Sequence, residues 1–347
     1  MTVKAVGLVS GGLDSTLAVA LVLRQGIEVR AVNFRTGFGG PVGDSCAVEN
    51  SLGQLFAGDF FKQFSGKLSF EQLDIGDGYL DVLNNPKYGF GKNVNPCIDC
   101  RIYGFRNAKA HMERIGADFI FTGEVLAQRP MSQHRNTMSQ IVKQSGTKGL
   151  MLRPLSAQLL PPTIAEEQGL IDRNQLMNIS GRGRKRQIDL AKELGLEDYP
   201  QPAGGCCYLT DPGYARRFRD LVQYREQEQL ATRDFQLLRL GRHLRLADDF
   251  KVIVGRNEEE NRILEELFSD YPMLELVDAP GPLVLIDGKL SEERIEMAAR
   301  IAARYSKNQE GKVPVEYREN SADDATAARV LEVEPYTPAE TDQLVIK

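Results

Sequence analysis

The sequence predicts an α/β protein: a doubly wound parallel sheet followed by a smaller C-terminal α+β domain. Three observations carry that expectation. The apolar run Ala5–Val9 stops at Ser10-Gly11-Gly12-Leu13-Asp14-Ser15 and passes at once into a helical pattern. Strand and helix signals then alternate, and a βαβα order implies parallel strands with helices on both faces. Near residue 230 the texture changes to short strands separated by single helices.

Each element has its own signal. Ile27–Arg35, after Gly26, is rich in β-branched residues and reads as a strand. Ser45–Phe61 reads as helical. Lys67–Ile75 is a short strand with a polar tail, Ile102–Ile115 a helix closed by Gly116, and Ala117–Val125 a buried strand opening into a loop. Arg153–Ile171 is broken by prolines and its second half looks helical. Ser180–Leu196 joins a basic glycine turn to an amphipathic helix, and Tyr199–Val222 is a Pro/Gly-rich stretch leading into a basic helix. Beyond it, Val277–Arg304 repeats the strand-turn-helix texture, and strands are expected in VPVEYREN and ARVLEVEPY. The expected division is 1–228, the doubly wound domain; 229–306, a small α+β domain; and 307–347, a polar extension.

Composition sets the outer bounds. A chain of 347 residues has room for two or three domains. The start, MTVKAVGLVSGG, has neither the charge pattern nor the apolar length of a signal peptide or membrane span, so a cytoplasmic protein is expected. Net charge is −5, which argues against wholesale nucleic-acid coating, yet basic runs occur at 101–114, 129–135, 182–186 and 216–225. With no secretory signal, the five cysteines favour metal or redox chemistry over structural disulfides.

The Ser10–Ser15 segment has the makings of an anion site. Gly11 and Gly12 let the backbone approach a phosphate closely, and the helix start offers unsatisfied N–H groups and the positive end of a dipole. Ser10 and Ser15 add hydroxyls. Asp14 would repel phosphate unless a cation lay between them, which points to Mg2+. The segment lacks the Gly-Lys-Ser/Thr ending of a Walker loop and the spacing of GxGxxG. Ligands of doubly wound sheets sit at the carboxyl ends of strands. Ser10–Ser15, Asn33–Thr36 and Thr122–Glu124 all fall at such ends, so the ligand is expected to reach Asn33–Arg35 and Gly123.

Cys97 and Cys100 form a CxxC just before a helix, Cys206 and Cys207 lie in PAGGCCYLTD, and Cys46 stands apart. CxxC suits a shared metal, a dithiol pair, or a catalytic cysteine with a resolving partner. Three thiolates would leave one iron of a 4Fe-4S cluster open. A closed Zn2+ site would need a fourth ligand, for which Cys207 or His111 is available.

SGGLDS resembles the signature of the PP-loop ATP pyrophosphatases. Taken with NPCIDCRIYGFRNA, FTGEVLAQRPMSQ, RPLSA and PAGGC, the first 225 or so residues resemble the tRNA thiolation enzymes of that superfamily, the 4-thiouridine synthetases and 2-thiouridylases. The resemblance implies a PP-loop fold in which Ser10, Gly11, Gly12, Asp14 and Ser15 bind pyrophosphate and Mg2+. It also implies sulfur handling by Cys97, Cys100 and Cys206, as ligands of a cluster or as persulfide carriers. Arg129, after TGE, is a candidate for the α-phosphate or the RNA backbone. VIVGRNEEENRILEEL resembles the RNA-binding domain of ribosome-quality-control factors. The N-terminal RNA-binding domain and rhodanese-like tail of long 4-thiouridine synthetases have no counterpart, nor does the β-barrel of the 2-thiouridylases.

The expected function is therefore an ATP-dependent, pyrophosphate-releasing tRNA sulfurtransferase. It would adenylate a uridine carbonyl oxygen and replace it with sulfur supplied by a cysteine desulfurase or by sulfide. Two alternatives keep part of that reading: a PP-loop enzyme acting on a small-molecule acceptor, and an RNA- or ribosome-binding protein with a vestigial ATP site.

Overall fold

The computed structural model describes residues 2–39, 47–196, 207–226, 230–305, 311–319 and 328–347. Two compact units divide the chain, Met1–Thr210 and Asp211–Lys347.

In the first unit the order is β1 (Lys4–Leu8), α1 (Leu13–Arg24), β2 (Glu28–Arg35), α2 (Ala47–Phe56), α3 (Asp59–Lys62), β3 (Leu68–Asp74) and α4 (Gly76–Asn84). Then come α5 (Cys97–Ile115), β4 (Phe119–Thr122), α6 (Arg135–Ser145), β5 (Met151–Leu152), α7 (Ile164–Glu167) and α8 (Lys185–Leu194). The five strands are parallel in the order β3-β2-β1-β4-β5, which is the expected doubly wound sheet. Successive β1 residues face opposite cores. Ala5 packs with Leu17 and Leu21 of α1 on one face, Val6 with Ile102 and Phe105 of α5 on the other. Both faces are covered, which is why these strands read as continuous apolar runs. The chain steps outward from β1 to β3 and then crosses back to β4. The resulting switch point lies at the carboxyl ends of β1 and β4.

Local differences from the sequence reading have physical causes. The α5 helix begins at Cys97, five residues earlier than expected, so both CxxC thiols lie in its first turn. Asp99 suits that turn: its carboxylate favours a helix N-terminus and accepts the backbone N–H groups of Lys87 and Tyr88. The predicted helix over 45–61 is interrupted at Ala57-Gly58, where Gly58 starts α3. The second half of Arg153–Ile171 is helical for one turn only. Helix α6 gives no clear signal in the sequence because it is mostly polar; Met138, Ile141 and Ser145 are its buried residues.

The second unit contains α9 (Pro212–Tyr224), α10 (Thr232–Leu237), β6 (Arg242–Ala247), β7 (Phe250–Val254), α11 (Glu258–Leu267) and β8 (Met273–Leu276). It continues with β9 (Val284–Gly288), α12 (Glu292–Arg304), β10 (Val313–Arg318), β11 (Arg329–Val333) and α13 (Pro338–Leu344). Its sheet is antiparallel, ordered β11-β10-β8-β9-β7-β6, with α12 contributing Ile295, Ala298, Ala299 and Ala302 to the core.

This arrangement shifts both boundaries expected from sequence. The basic helix α9 belongs with the second unit rather than with residues 1–228. Its Tyr214 hydroxyl donates to the Phe235 carbonyl at 3.0 Å, Arg217 donates to the Leu238 carbonyl at 2.6 Å, and Asp220 pairs with Arg245. The segment read as a separate extension, 307–347, supplies two strands of the same sheet. Val315 and Tyr317 of β10 alternate inward, and β10 pairs with β8 on one side and β11 on the other.

Candidate active site

The turn after β1 is shaped for close approach. Gly11 has φ +77°, a left-handed conformation that other residues adopt only at a cost of about 1–2 kcal/mol. The Ser10 backbone N–H donates to the Ser15 hydroxyl at 3.3 Å, and that hydroxyl donates to the Gly12 carbonyl at 2.8 Å. Ser15 thus holds the turn closed from within. No side chain caps the N-terminus of α1. Asp14 is held by the Gln128 side-chain amide, which donates to its Oδ2 at 3.0 Å, while its Oδ1 is buried without a hydrogen-bond partner among the described residues. A buried, unsatisfied carboxylate oxygen beside a phosphate-type turn is a suitable ligand for a hard divalent cation.

The turn after β4 fits against this one. A Cβ on Gly123 would lie 2.4 Å from the Ser15 backbone nitrogen and 2.6 Å from the Asp14 carbonyl oxygen, so only glycine permits the approach. The next residue, Glu124, is 3% exposed and lies between two arginines. Arg153, after β5, donates to it at 3.0 Å, and Arg101, in the first turns of α5, pairs with it at 3.4 Å. One buried carboxylate therefore ties the CxxC helix and the RPLSA segment to the turn that backs the cradle. Ala127 has φ +62° in the same turn, between Glu124 and Gln128. Such strain is the kind held in place at functional sites.

At the start of α5, the Asn95 amide donates to Cys97 Sγ at 3.1 Å, and it lies 3.4 Å from Met131 Sδ. The preceding loop is joined to the chain just after Cys207. Asn93 donates to the Thr210 carbonyl at 2.6 Å, and the Val94 N–H to the Leu209 carbonyl at 3.2 Å. The Thr210 hydroxyl in turn donates to the Cys207 carbonyl at 2.8 Å. The Tyr208 N–H bonds the Phe38 carbonyl at 3.3 Å, bringing in the loop after β2. Cys97, Cys100 and Cys207 are all half-buried.

Among the residues singled out from sequence, Ser10, Gly11, Gly12, Asp14, Ser15 and Gly123 come together in the cradle. Asn33 sits at the end of β2, where its amide donates to the Val9 carbonyl at 2.8 Å and its oxygen accepts from Gln72 at 3.0 Å. It thereby ties together the ends of three strands. Arg129 follows Gln128 in the strained turn, its backbone N–H bonded to Gln133. Cys206 and Cys46 lie outside the described residues. Among the described residues no group of three His, Cys, Asp or Glu side chains could hold a metal ion. His111 is no partner for Cys97: fourteen residues of helix separate them, about 21 Å at 1.5 Å per residue. It pairs instead with Glu71 at 2.9 Å, and burial holds its pKa below the usual histidine value. Gln128, Asn93 and Asn95 join the site without a sequence signal of their own; Gln128 lies within FTGEVLAQRPMSQ, so motif position alone could flag it. No helix among the described residues is long and apolar enough to cross a membrane.

Comparisons with known proteins show what the chain is similar to. Residues 1–158 match the family model described as thiamine biosynthesis protein (ThiI), and residues 241–344 match the NFACT protein RNA binding domain. A tRNA-specific 2-thiouridylase MnmA of Syntrophotalea carbinolica is 30% identical over 118 residues, covering 33% of this chain and 32% of the relative. A tRNA-specific 2-thiouridylase MnmA of Pelotomaculum thermopropionicum is 30% identical over 231 residues, covering 62% of this chain and 58% of the relative. A solved 4-thiouridine synthetase–RNA complex with bound ATP aligns with 56% of this chain and 51% of that one, at 23% identity and a TM-score of 0.36. The chain spans between 32% and 58% of the length of these two curated relatives. Its first unit is thus similar to the PP-loop tRNA-thiolation enzymes, and its second carries a region similar to the NFACT RNA-binding domain.

Proposed function

We propose that this protein is an ATP-dependent tRNA sulfurtransferase. The observation that carries the reading is the Arg101–Glu124–Arg153 cluster. It joins a CxxC helix to the turn packed against a PP-loop-like cradle, so sulfur chemistry and nucleotide chemistry share one sheet edge.

In this reading a uridine carbonyl oxygen attacks the α-phosphorus of ATP, and pyrophosphate departs into the Ser10–Ser15 turn. The backbone N–H groups at the start of α1 receive the leaving charge, a preorganised arrangement that needs no rearrangement during reaction. Asp14 would hold Mg2+, which when bound supplies charge neutralisation to the leaving group. Arg129 is placed in the role of α-phosphate contact, and the ends of β2 and β4, near Asn33 and Gly123, in that of the adenine site.

Sulfur then displaces AMP. A persulfide on Cys100 or Cys97, loaded by transfer of sulfane sulfur from an external persulfide donor of the cysteine-desulfurase class, attacks the activated carbon. The second thiolate cleaves the S–S bond, leaving sulfur on the base and a Cys97–Cys100 disulfide that an external thiol must reduce. A 4Fe-4S cluster would need Cys206 to join the CxxC pair, and no step here is routed through one. The hydrogen bonds from Asn93 and Val94 to 209–210 hold the chain just beyond Cys207 against the CxxC loop.

ATP–pyrophosphate exchange with and without unmodified tRNA, followed by nucleoside mass spectrometry of the tRNA, tests the proposal. tRNA-stimulated exchange and a mass gain of sulfur for oxygen are expected. Exchange stimulated only by a small-molecule acceptor would replace the tRNA reading. Absence of any exchange would favour a binding protein with a vestigial site.

A further inference from the structure

Arg182, Arg184, Lys185 and Arg186 place four cations within five residues. Arg182, Lys185 and Arg186 are exposed and Arg184 is half-buried. Among the described residues none of their side chains has an ion pair or hydrogen bond. Other arginines are matched: exposed Arg262 pairs with Glu266, and half-buried Arg294 and Arg233 pair with Asp249 and Asp270. A run of unmatched like charges raises the local potential and calls for an anionic partner.

Position in the helix strengthens the point. Lys185 and Arg186 are the first residues of α8, whose first turn has no acid, whereas α11 opens with Glu258, Glu259 and Glu260. Cations at a helix N-terminus oppose the dipole and destabilise the isolated helix. Such a placement is favourable once an anion sits there.

The run is also fixed at both ends. On one side the Gly181 N–H donates to the Leu126 carbonyl at 2.8 Å, and Ser180 bridges Leu126. On the other, Gln187 is fully buried, and Leu190 and Ala191 lie in the core with residues of α1. Leu126 is two residues beyond Glu124, in the turn that brings Gln128 to Asp14. The cations therefore begin at the edge that carries the cradle. Space at Gly183 is open: among the described residues nothing lies within 4 Å of the place a Cβ would take.

We infer that 180–186 is the RNA-docking loop of the first unit, gripping backbone phosphates of the substrate strand beside the nucleotide cradle. This rests on the sulfurtransferase reading. A nucleotide's own phosphates already have the Ser10–Ser15 turn, whereas four side chains displayed along a loop suit the repeating charges of a polynucleotide.

The test uses the full chain with Arg182, Arg184, Lys185 and Arg186 all changed to Gln, and an unmodified tRNA transcript titrated at several KCl concentrations. RNA affinity should fall about tenfold or more near 0.1 M salt, and the slope of log K against log salt should shrink by about 0.7–0.9 for each phosphate that the variant no longer neutralises. ATP affinity and melting temperature should hold. Should the combined variant fold poorly, Arg182→Gln and Lys185→Gln, both at exposed positions, should each lower the slope by about the share of one phosphate, and Arg182→Lys should keep it. If wild type binds RNA and the variants bind it with the same affinity and slope, the loop assignment is overturned while the sulfurtransferase reading stands. Weakened ATP binding with unchanged RNA binding overturns it in favour of a nucleotide role. Failure of wild type to bind RNA overturns both.

Discussion

Gly123 and Ser15 touch backbone to backbone: a single carbon added to Gly123 would lie 2.4 Å from the Ser15 nitrogen. The geometry of the cradle is therefore set from behind by the turn after β4 as well as by its own glycines. Gly123→Ala should push the two turns apart, lowering stability by about 1–3 kcal/mol and weakening ATP binding more than tenfold. Calorimetric ATP titration and thermal melts of the variant check this. Unchanged ATP affinity would separate Gly123 from the nucleotide site.

Asp14→Asn keeps an oxygen for Gln128 but removes the charge. Because Oδ1 is buried without a partner, the variant should melt no lower than wild type. Mg2+-dependent ATP turnover should fall about a hundredfold or more. A pyrophosphate-release assay across a Mg2+ series distinguishes this from a merely structural effect.

Glu124→Gln should be costly in a different way. It leaves the Arg153 guanidinium buried without its counter-charge, and breaking a buried pair typically costs about 3–5 kcal/mol. Adding Arg153→Met should recover much of that loss. It should not restore ATP-dependent tRNA thiolation, if Arg101 requires Glu124 for its position. Full recovery of thiolation would limit Glu124 to a structural role.

His243 in β6 is buried, its Nε2 lies 3.0 Å from the Leu240 carbonyl, and its Nδ1 has no partner among the described residues. Burial, with Lys251 and Arg217 nearby, holds its pKa well below the ordinary value. The unfolded chain takes up a proton near pH 6.5, where the folded one does not. Stability from this group is thus fully present above that pH and declines as pH falls below it. Urea unfolding of the second unit at pH 7.5 and 5.5, followed by circular dichroism, should show the loss. His243→Gln should flatten the difference, though at a lower overall stability.

A fragment ending at Thr210 should be soluble and bind ATP. One ending at residue 228 would carry α9 without Phe235, exposing Tyr214, Phe218 and Leu221, and should aggregate more readily. Light scattering of the two fragments compares them directly.

What can be read in the sequence depends on the range of each interaction. The β1–turn–α1 unit is plain, because a change of apolar period and two glycines lie within fifteen residues. The doubly wound order follows from repetition of that unit. The Glu124 cluster is out of reach: Arg153 is 29 residues from Glu124, and their pairing depends on β4 and β5 lying side by side. Farther still, Asn93 and Thr210 are 117 residues apart. The boundary expected near 228 falls in the wrong place because a basic amphipathic helix does not show which core its apolar face serves. The second sheet is incompletely legible because β8 is only four residues long and β10 pairs with it across an intervening helix and strand.

The late position of β10 has a consequence for synthesis. Until residues 313–318 leave the ribosome, β8 has an open backbone edge, and residue 346 must follow before its N–H can reach the His243 carbonyl on β6 at the far side of the sheet. A nascent chain that stops short of residue 313 therefore presents two unprotected strand edges, a ready template for pairing with another chain. Once complete, β11 becomes the border, short and carrying Arg329 and Glu332, with its partner β10 already in place. The second unit's sheet is thus finished from its late strands, and termination before them would leave those edges open to other chains.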